Sequence, residues 1–479
     1  MSEFARNPDH LPDTLRQIER LLAKQKVTET LVHRQVDGPR HDLVESLVHK
    51  QNLAELEKKL ERLHPADIAI ILEALPPDDR LVVWELVGAD KDGEILLEVS
   101  DAVRETLIAD MDRDELIAVT EQLDTDELAD LAGDLPSEIV QEAIGSLDEE
   151  EREELQTALS YADDEVGSVM SFEMALIRED VTLEVVLRYL RRFEELPGHT
   201  DKLFVVTKDE VLIGALPLNR LLTTDPDTVV AEVMVTEVVT FMPHDDIYEA
   251  AQAFERYDLV SAPVVNDKRV LIGRLTVDTM VDVIREEADS EVLNLAGLRE
   301  EEDLFASVVK SAKNRWPWLG INLFTAFCAS RVIGVFEDTI AHLVALAALM
   351  PIVSGIGGNT GTQTATLIIR GLALNQISAT STGKLIRKEL GIAVLNGVFW
   401  GVVMGGFTYL LYRQLGLGLV MTLAMVLNLL VAALAGLFIP MVMHRFGRDP
   451  AYGSSVFLTA TTDSMGFFIF LGLASLLLV

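Results

Sequence analysis

Cysteine is nearly absent from this 479-residue sequence. Cys328 stands alone in an apolar stretch, which excludes an intrachain disulfide framework, a cysteine-based zinc site and dithiol redox chemistry. Basic charge is scarce too, 40 Lys and Arg against 77 Asp and Glu, and the shortage is uneven. Residues before Asn314 hold 31 basic and 72 acidic side chains, a net −41, whereas the remainder holds 9 and 5, a net +4. An acidic surface repels phosphate backbones and attracts cations, so nucleic acid is not an expected partner. The nine histidines are scattered, and neither a phosphate-cradling glycine loop nor a nucleophile–base pair is present, so an enzyme is not expected. The opening MSEFARNPDHLPDTL lacks the basic and apolar regions of a secretory signal, so the acidic part is expected to stay on the side of synthesis.

What the second part does contain is long runs without charge. No Asp, Glu, Lys or Arg lies between Asp338 and Arg370, between Glu389 and Arg413, or between Arg413 and Arg445, and only Asp463 interrupts the chain after Asp449. Each run is long enough for a bilayer-spanning helix of about 20 residues. A further segment, Trp316 to about Phe336, precedes them and brings the expected spans to five. Lys310, Lys313, Arg315, Arg370, Lys384, Arg387, Lys388, Arg445 and Arg448 fall on one side of this arrangement. The positive-inside rule therefore puts the N-terminus in the cytoplasm and Val479 outside. Arg331, late in the first span, is expected to snorkel outward or pair with Glu337.

Two features exceed what an anchor needs. Pro351, Ser354 and Gly355 lead into GGNTGTQTATLIIRG at 357–371, where five glycines and a proline are expected to weaken a continuous helix, or else to let helices pack closely. Asp463 falls midway along the last span, where a carboxylate costs about 2.5–3.5 kcal/mol on insertion scales. With no basic residue inside spans two to five, a mobile cation is its natural partner; a protonated Asp bonded to a neighbouring Thr or Asn is the alternative.

In the acidic part an apolar residue recurs every twelve positions, as Leu63, Leu75, Val87, Val99, Met111, Leu123, Leu135 and Leu147, followed mostly by turn or N-cap residues. This predicts one short helix per twelve residues, stacked into a superhelix. A second repeat matches VVTKDEVLIGALPL at 205–218 to VVNDKRVLIGRLTV at 264–277, each copy reading as two strands and a helix. The pair resembles tandem CBS modules, which often bind adenine nucleotides. Such sites commonly carry Asp three residues after a Thr at the start of the final helix, but Thr279 follows Thr276 here, so an adenine nucleotide is a disfavoured cofactor. An acidic, helix-compatible linker with Asp282, Glu286, Glu287, Asp289 and Glu291 joins this part to the first span.

Taken together, the superhelix, paired modules, acidic linker, five spans, glycine-rich segment and intramembrane Asp resemble the MgtE family of magnesium channels or transporters over nearly the whole chain. The resemblance implies a multidomain fold: an α-helical superhelical N-terminal domain at 1–160, tandem α/β CBS modules at 161–284, a connecting plug helix at 285–313, and a five-helix α transmembrane domain at 314–479. It implies a homodimer in the cell membrane with its pore on the two-fold axis, lined by spans two and five. Mg²⁺ would be both cargo and regulator. The pore Asp carries over to Asp463 and the lining to Ala347, Gly355, Gly358 and Asn359; Thr362 and Ser455 stand where a relative has Asn. Cytosolic Mg²⁺ sensing carries over to Asp258, Asp278, Asp282, Glu287, Asp289 and Glu291, with Thr279 and Ser290 departing from expected acids. A tethered CBS sensor that transports nothing and an ion-coupled divalent carrier are the alternatives.

Overall fold

The computed structural model describes residues 11–34, 53–193, 196–298, 303–373, 376–377, 379–448 and 450–479. The chain forms two compact units, Met1–Glu287 with Asp303–Ala306, and Ala288–Glu302 with Ser307–Val479.

The first unit begins with α1 (Leu11–Arg34) and α2 (53–60), followed by α3 (Pro65–Ala74), α4 (Pro77–Trp84), α5 (Asp92–Glu98) and α6 (Asp101–Asp110). It continues with α7 (Arg113–Thr120), α8 (Thr125–Leu131), α9 (Ser137–Ser146) and α10 (Glu149–Ala158). Apart from α5, displaced by the GADKD turn, these helices from α3 onward start on the expected twelve-residue beat. Asp112, Asp124 and Asp148 close capping boxes with Glu115, Glu127 and Glu151, which satisfies orphan backbone donors and sets where each helix starts. Alternate helices pack on one another, α3 on α5, α5 on α7, α7 on α9, α4 on α6 and α8 on α10, so the structural unit is a helix pair. Arginines mark that longer period. Arg80, Arg104 and Arg152 each point Nε at a carbonyl eight residues earlier, Leu72, Leu96 and Ile144, at 2.8–2.9 Å. A guanidinium thus caps the last carbonyls of the preceding helix, where the helix dipole favours a cation. Leu128 interrupts the series.

Two β-hairpins follow, with the 59-residue offset read from the sequence. Strands β1 (Leu176–Arg178), β2 (Lys202–Val206) and β3 (Leu212–Pro217) form one sheet, with α11 (Leu183–Leu190) between β1 and β2; β4 (Ser261–Val265) and β5 (Leu271–Thr276) form the other. The register shifts at Val205/Val206 and again at Val264/Val265. The turn residues Glu210 and Arg269 both take positive φ, 57° and 60°. Thr207 Oγ1 and Asn266 Oδ1 each accept two backbone N–H groups of their own turn. The turns are tied reciprocally, Leu212 N donating to Arg269 O and Leu271 N to Glu210 O, as two copies related by a pseudo-two-fold axis would be. Helices α12 (Leu218–Thr223) and α13 (Val230–Val233) lead to α14 (Ile247–Tyr257). The final helix of the second module and the acidic linker are one helix, α15 (Val277–Ala296). Gly297 ends it at φ 72°, packed so closely under the Trp318 indole that a Cβ would collide. The helix therefore does not run on to residue 313 as the linker composition allowed; 308–313 open the next one.

The second unit contains α16 (Val308–Val335), the short α17 (Glu337–His342), α18 (Ala345–Ala373), α19 (Ala379–Tyr412), α20 (Leu415–Arg445) and α21 (Ser454–Leu477). Among the described residues four helices are long and apolar enough to cross a membrane: α16, α19 from Thr382, α20 and α21. Helix α18 has the length, 29 residues, but its Gly, Thr, Asn and Gln content lowers its hydropathy. Helix α20 is central and packs against α18, α19 and α21. Its contact with α19 is made through Gly397, Gly401 and Gly405, where an added Cβ would lie within 3 Å of α20 atoms. Arg331 neither pairs with Glu337 nor lies buried; its guanidinium sits 5.3 Å from the Phe327 ring centroid.

Candidate ion pathway

The glycines of α18 do not break it. The expectation of a weakened helix is corrected, because these residues are small for the sake of their neighbours. A Cβ on Gly357 would lie 2.2 Å from Asn428 Nδ2 of α20, and one on Gly361 2.8 Å from Leu458 of α21. Gly355 and Gly358 differ: an added Cβ would meet nothing at the first and only Thr462 Oγ1, at 3.8 Å, at the second. Close packing and an open face thus coexist on one helix.

That face is continuous. Ala347, Pro351, Gly355, Asn359, Thr362, Thr366 and Arg370 are all exposed and follow at intervals of three or four, one stripe of an α-helix. Four of the expected lining residues belong to it, and Gly358, half-buried, borders it. Pro351 has no N–H to give the Ala347 carbonyl one turn earlier.

Helix α21 meets α18 antiparallel, with Ser354 opposite Asp463, Gly358 opposite Thr462 and Gly361 opposite Leu458. The Ser354 hydroxyl donates to Asp463 Oδ1. Asp463 is half-buried, and among the described residues no Lys or Arg pairs with it. Ser455 and Thr459 precede it at helical intervals of four, and Thr459 Oγ1 donates to the Ser455 carbonyl at 2.8 Å. Antiparallel packing therefore sets Asn359 of α18 near the depth of Thr459 of α21, and Thr362 between the depths of Thr459 and Ser455. The result is a strip of hydroxyls, one carboxamide and one carboxylate along two adjoining apolar helices.

Two buried polar groups beside this strip escaped the sequence reading. Thr364 Oγ1 donates to Glu389 Oε2 at 3.3 Å, with both side chains buried and Lys388 Nζ 3.5 Å from the other carboxylate oxygen. Glu389 marked only the end of a charge-free run; its neighbour Thr364 lay inside the glycine-rich segment. Asn428, in the middle of the most apolar helix, was hidden by its surroundings.

Comparisons with known proteins identify the family of the chain. Residues 350–473 match the family model "Divalent cation transporter", 63–164 the "MgtE intracellular N domain" and 230–286 a CBS domain. Magnesium transporter MgtE of Thermus thermophilus is 32% identical over 88% of this chain and 95% of its own length. The chain belongs to the MgtE family of magnesium transporters. Its Bacillus subtilis relative of the same name is 26% identical over 90% of this chain and 95% of its own. A solved structure of the cytosolic domain of the Mg²⁺ channel MgtE in complex with ATP is 31% identical and covers 50% of this chain and 98% of that one, with a TM-score of 0.45. Membership of this transporter family, together with the apolar helices, makes the chain a multi-pass membrane protein, and the family is not a class of enzymes.

The residues that the MgtE resemblance assigns to sensing are spread along α14 and α15. Asp258 caps α14 in the left-handed conformation, φ 52°, and is exposed. Asp278, Asp282 and Asp289 share one face of α15 by their spacing, and Glu287 lies on the opposite face. Glu291's side chain lies outside the described residues. Asp278 lies 3.4 Å from His199 Nε2. Although Asp282 is exposed at its tip, packing strips away enough water to raise its pKa, and Asp278 and Asp130 add to the rise while Arg285 opposes it. Glu98 is raised in the same way, by lost hydration and then by Asp282. Among the described residues no three acids or histidines converge as a ready-made metal cage. Thr276 Oγ1 lies 3.2 Å from Thr279 Oγ1, so the position where an acid would hold a ribose is taken by a hydroxyl pair.

Proposed function

We propose that this chain transports Mg²⁺ through the membrane along a path lined by α18 and α21, in a homodimer whose second copy closes the open face of α18. The path has five spans per chain with α18 as the second, the N-terminus in the cytoplasm, and ions moving inward. The observation that carries this reading is Asp463: a carboxylate at membrane depth, held by a serine hydroxyl and not neutralised by any described base. Such a residue is costly unless a cavity and a cation accompany it. Mg²⁺ dehydrates reluctantly and is commonly held by one or two carboxylates with several waters retained. Two Asp463 carboxylates across a two-fold axis match that demand, and Asn359, Thr362, Ser455 and Thr459 offer oxygens to the water shell.

The acidic unit supplies the regulation. Mg²⁺ with its waters bridges pairs of crowded carboxylates such as Asp282 and Glu98 rather than filling a cage, and the family's sensing residues Asp258, Asp278, Glu287, Asp289 and Glu291 add carboxylates that attract the same ion. At high internal Mg²⁺ the acidic surfaces draw together and close the path; at low Mg²⁺ their repulsion opens it. A nucleotide is not part of this reading, since Thr279 stands in place of the ribose-binding acid.

Purified protein in liposomes tests both parts. Asp463→Ala is expected to abolish Mg²⁺ flux while the protein stays folded, and Asp282→Ala with Glu287→Ala to keep flux on at high internal Mg²⁺. Normal flux in the Asp463 variant would leave a tethered sensor as the better reading.

A further inference from the structure

Asn428 is wholly buried at the centre of α20, the most apolar helix of the membrane unit. Its Nδ2 donates to the Val353 carbonyl of α18 at 2.8 Å, one residue before Ser354. Its Oδ1 has no hydrogen-bond partner among the described residues. Two glycines make the room: a Cβ on Gly357 would lie 2.2 Å from Nδ2, and one on Gly466 of α21 3.1 Å from the same atom. Gly357 follows Ser354 by three residues, and Gly466 follows Asp463 by three. The carboxamide therefore fills a slot between the two helices directly beside the Ser354–Asp463 contact.

Packing alone does not account for it. A buried acceptor left unpaired is destabilising, and a leucine of the same branched shape would avoid that cost. Apolar helices have little hydrophobic drive to associate with one another in lipid, so the amide and the glycine slots are what fix their spacing here. We infer that Asn428 is a positioning residue for ion discrimination: by pinning Val353 and filling the Gly357/Gly466 slot, it holds Ser354 and Asp463 at the separation that suits a hydrated Mg²⁺. This rests on Asp463 lying in the ion path. Mg²⁺ demands near-ideal octahedral geometry and Ca²⁺ does not, so loosening the pair penalises Mg²⁺ more than Ca²⁺.

The test is flux of Mg²⁺ and of Ca²⁺ by the full-length protein in liposomes. Asn428→Leu is expected to raise the Mg²⁺ concentration for half-maximal flux about tenfold, the effect of one lost hydrogen bond, and to lower the Mg²⁺/Ca²⁺ ratio while maximal flux is largely kept. Because Gly357→Ala alone expels the carboxamide, it should behave likewise. Gly357→Ala combined with Asn428→Ala relieves the clash but lacks the amide, and is expected to remain unselective. Restored selectivity in that double variant, or an Asn428→Leu protein with only a lower yield of active molecules and unchanged half-saturation, overturns the inference. If Asp463→Ala in the same assay transports normally, the ion-path reading itself fails; if it is dead while Asn428→Leu is unaltered, only the positioning role fails.

Discussion

Arg80 and Asp303, 223 residues apart, form an ion pair of 2.9 Å inside the acidic unit, with the Arg80 side chain fully buried and that of Asp303 nearly so. Arg80 also donates to the Leu72 and Leu75 carbonyls, so its charge is spread over a helix end and one carboxylate. Its repeat-mate Arg104 finds Asp134 within its own superhelix; Arg80 takes its acid from the segment that precedes α16. Asp303 in turn accepts from Phe305 N, which shapes the turn into Ser307, the N-cap of α16. The short segment Asp303–Ala306 is thus tied to the helical repeat.

Removing Asp303 leaves the buried Arg80 guanidinium without its carboxylate. Asp303→Ala is expected to destabilise the acidic unit by about 3–5 kcal/mol, the usual cost of breaking one side of a buried pair. Arg80→Met with Asp303→Leu should recover much of that loss, because a well-packed apolar pair avoids desolvation. Thermal unfolding of the two variants beside the parent measures this, and equal losses in both would contradict it.

The glycines of α18 and of α20 where it faces α18 divide by what surrounds them, so their substitutions should divide too. Gly436→Ala places a Cβ 2.4 Å from the Gly361 carbonyl, a backbone atom that cannot swing aside, and overpacking of this kind costs about 1–3 kcal/mol. Gly355→Ala meets nothing and gains helix propensity. The first variant should show a lowered melting point in detergent. The second should fold normally and alter only ion flux, as a residue of the open stripe would.

Acidity should stabilise the first unit. Burial, reinforced by Glu115 and Asp90, pushes the Asp92 carboxyl up to about 7. Burial likewise pushes Asp126 up to about 6, against its own backbone hydrogen bond. Both bind their protons more tightly folded than unfolded, so folding takes up protons between about pH 4 and pH 7 and stability falls as pH rises through that window. The thermal midpoint without divalent ions is expected to be higher at pH 5.5 than at pH 7.5. Saturating Mg²⁺ should flatten the difference by screening the same carboxylates, and a midpoint that rises with pH would refute the assignment.

Repeats and charge gaps were legible because each rests on local chemistry. The twelve-residue beat follows apolar anchors and N-caps, and the 59-residue offset recurs down to the positive-φ turn residues Glu210 and Arg269. The path helices were legible from a missing class of residue, charge, and from Asp463 as the exception. What stayed hidden depends on partners distant in sequence. Asn428 and Glu389 carry no periodic signature, and their roles appear only when α18, α19, α20 and α21 are set side by side. Ser354 was visible as a polar residue in the glycine-rich stretch, but nothing local tied it to a carboxylate 109 residues later. The glycines at 397, 401 and 405 did carry a local signal, their spacing of four, which marks a close helix contact.

Ser354 provides the sharpest separation between holding Asp463 and being part of its charge. A hydrogen bond to an ionised group is worth about 1.5–3 kcal/mol, so Ser354→Ala is expected to slow Mg²⁺ flux about ten- to a hundredfold without abolishing it. Ser354→Thr keeps the hydroxyl and should recover part of the rate. Flux of the two variants beside the parent decides the matter: a Ser354→Thr protein no faster than Ser354→Ala would mean that the hydroxyl's hold on the carboxylate is not what this position supplies.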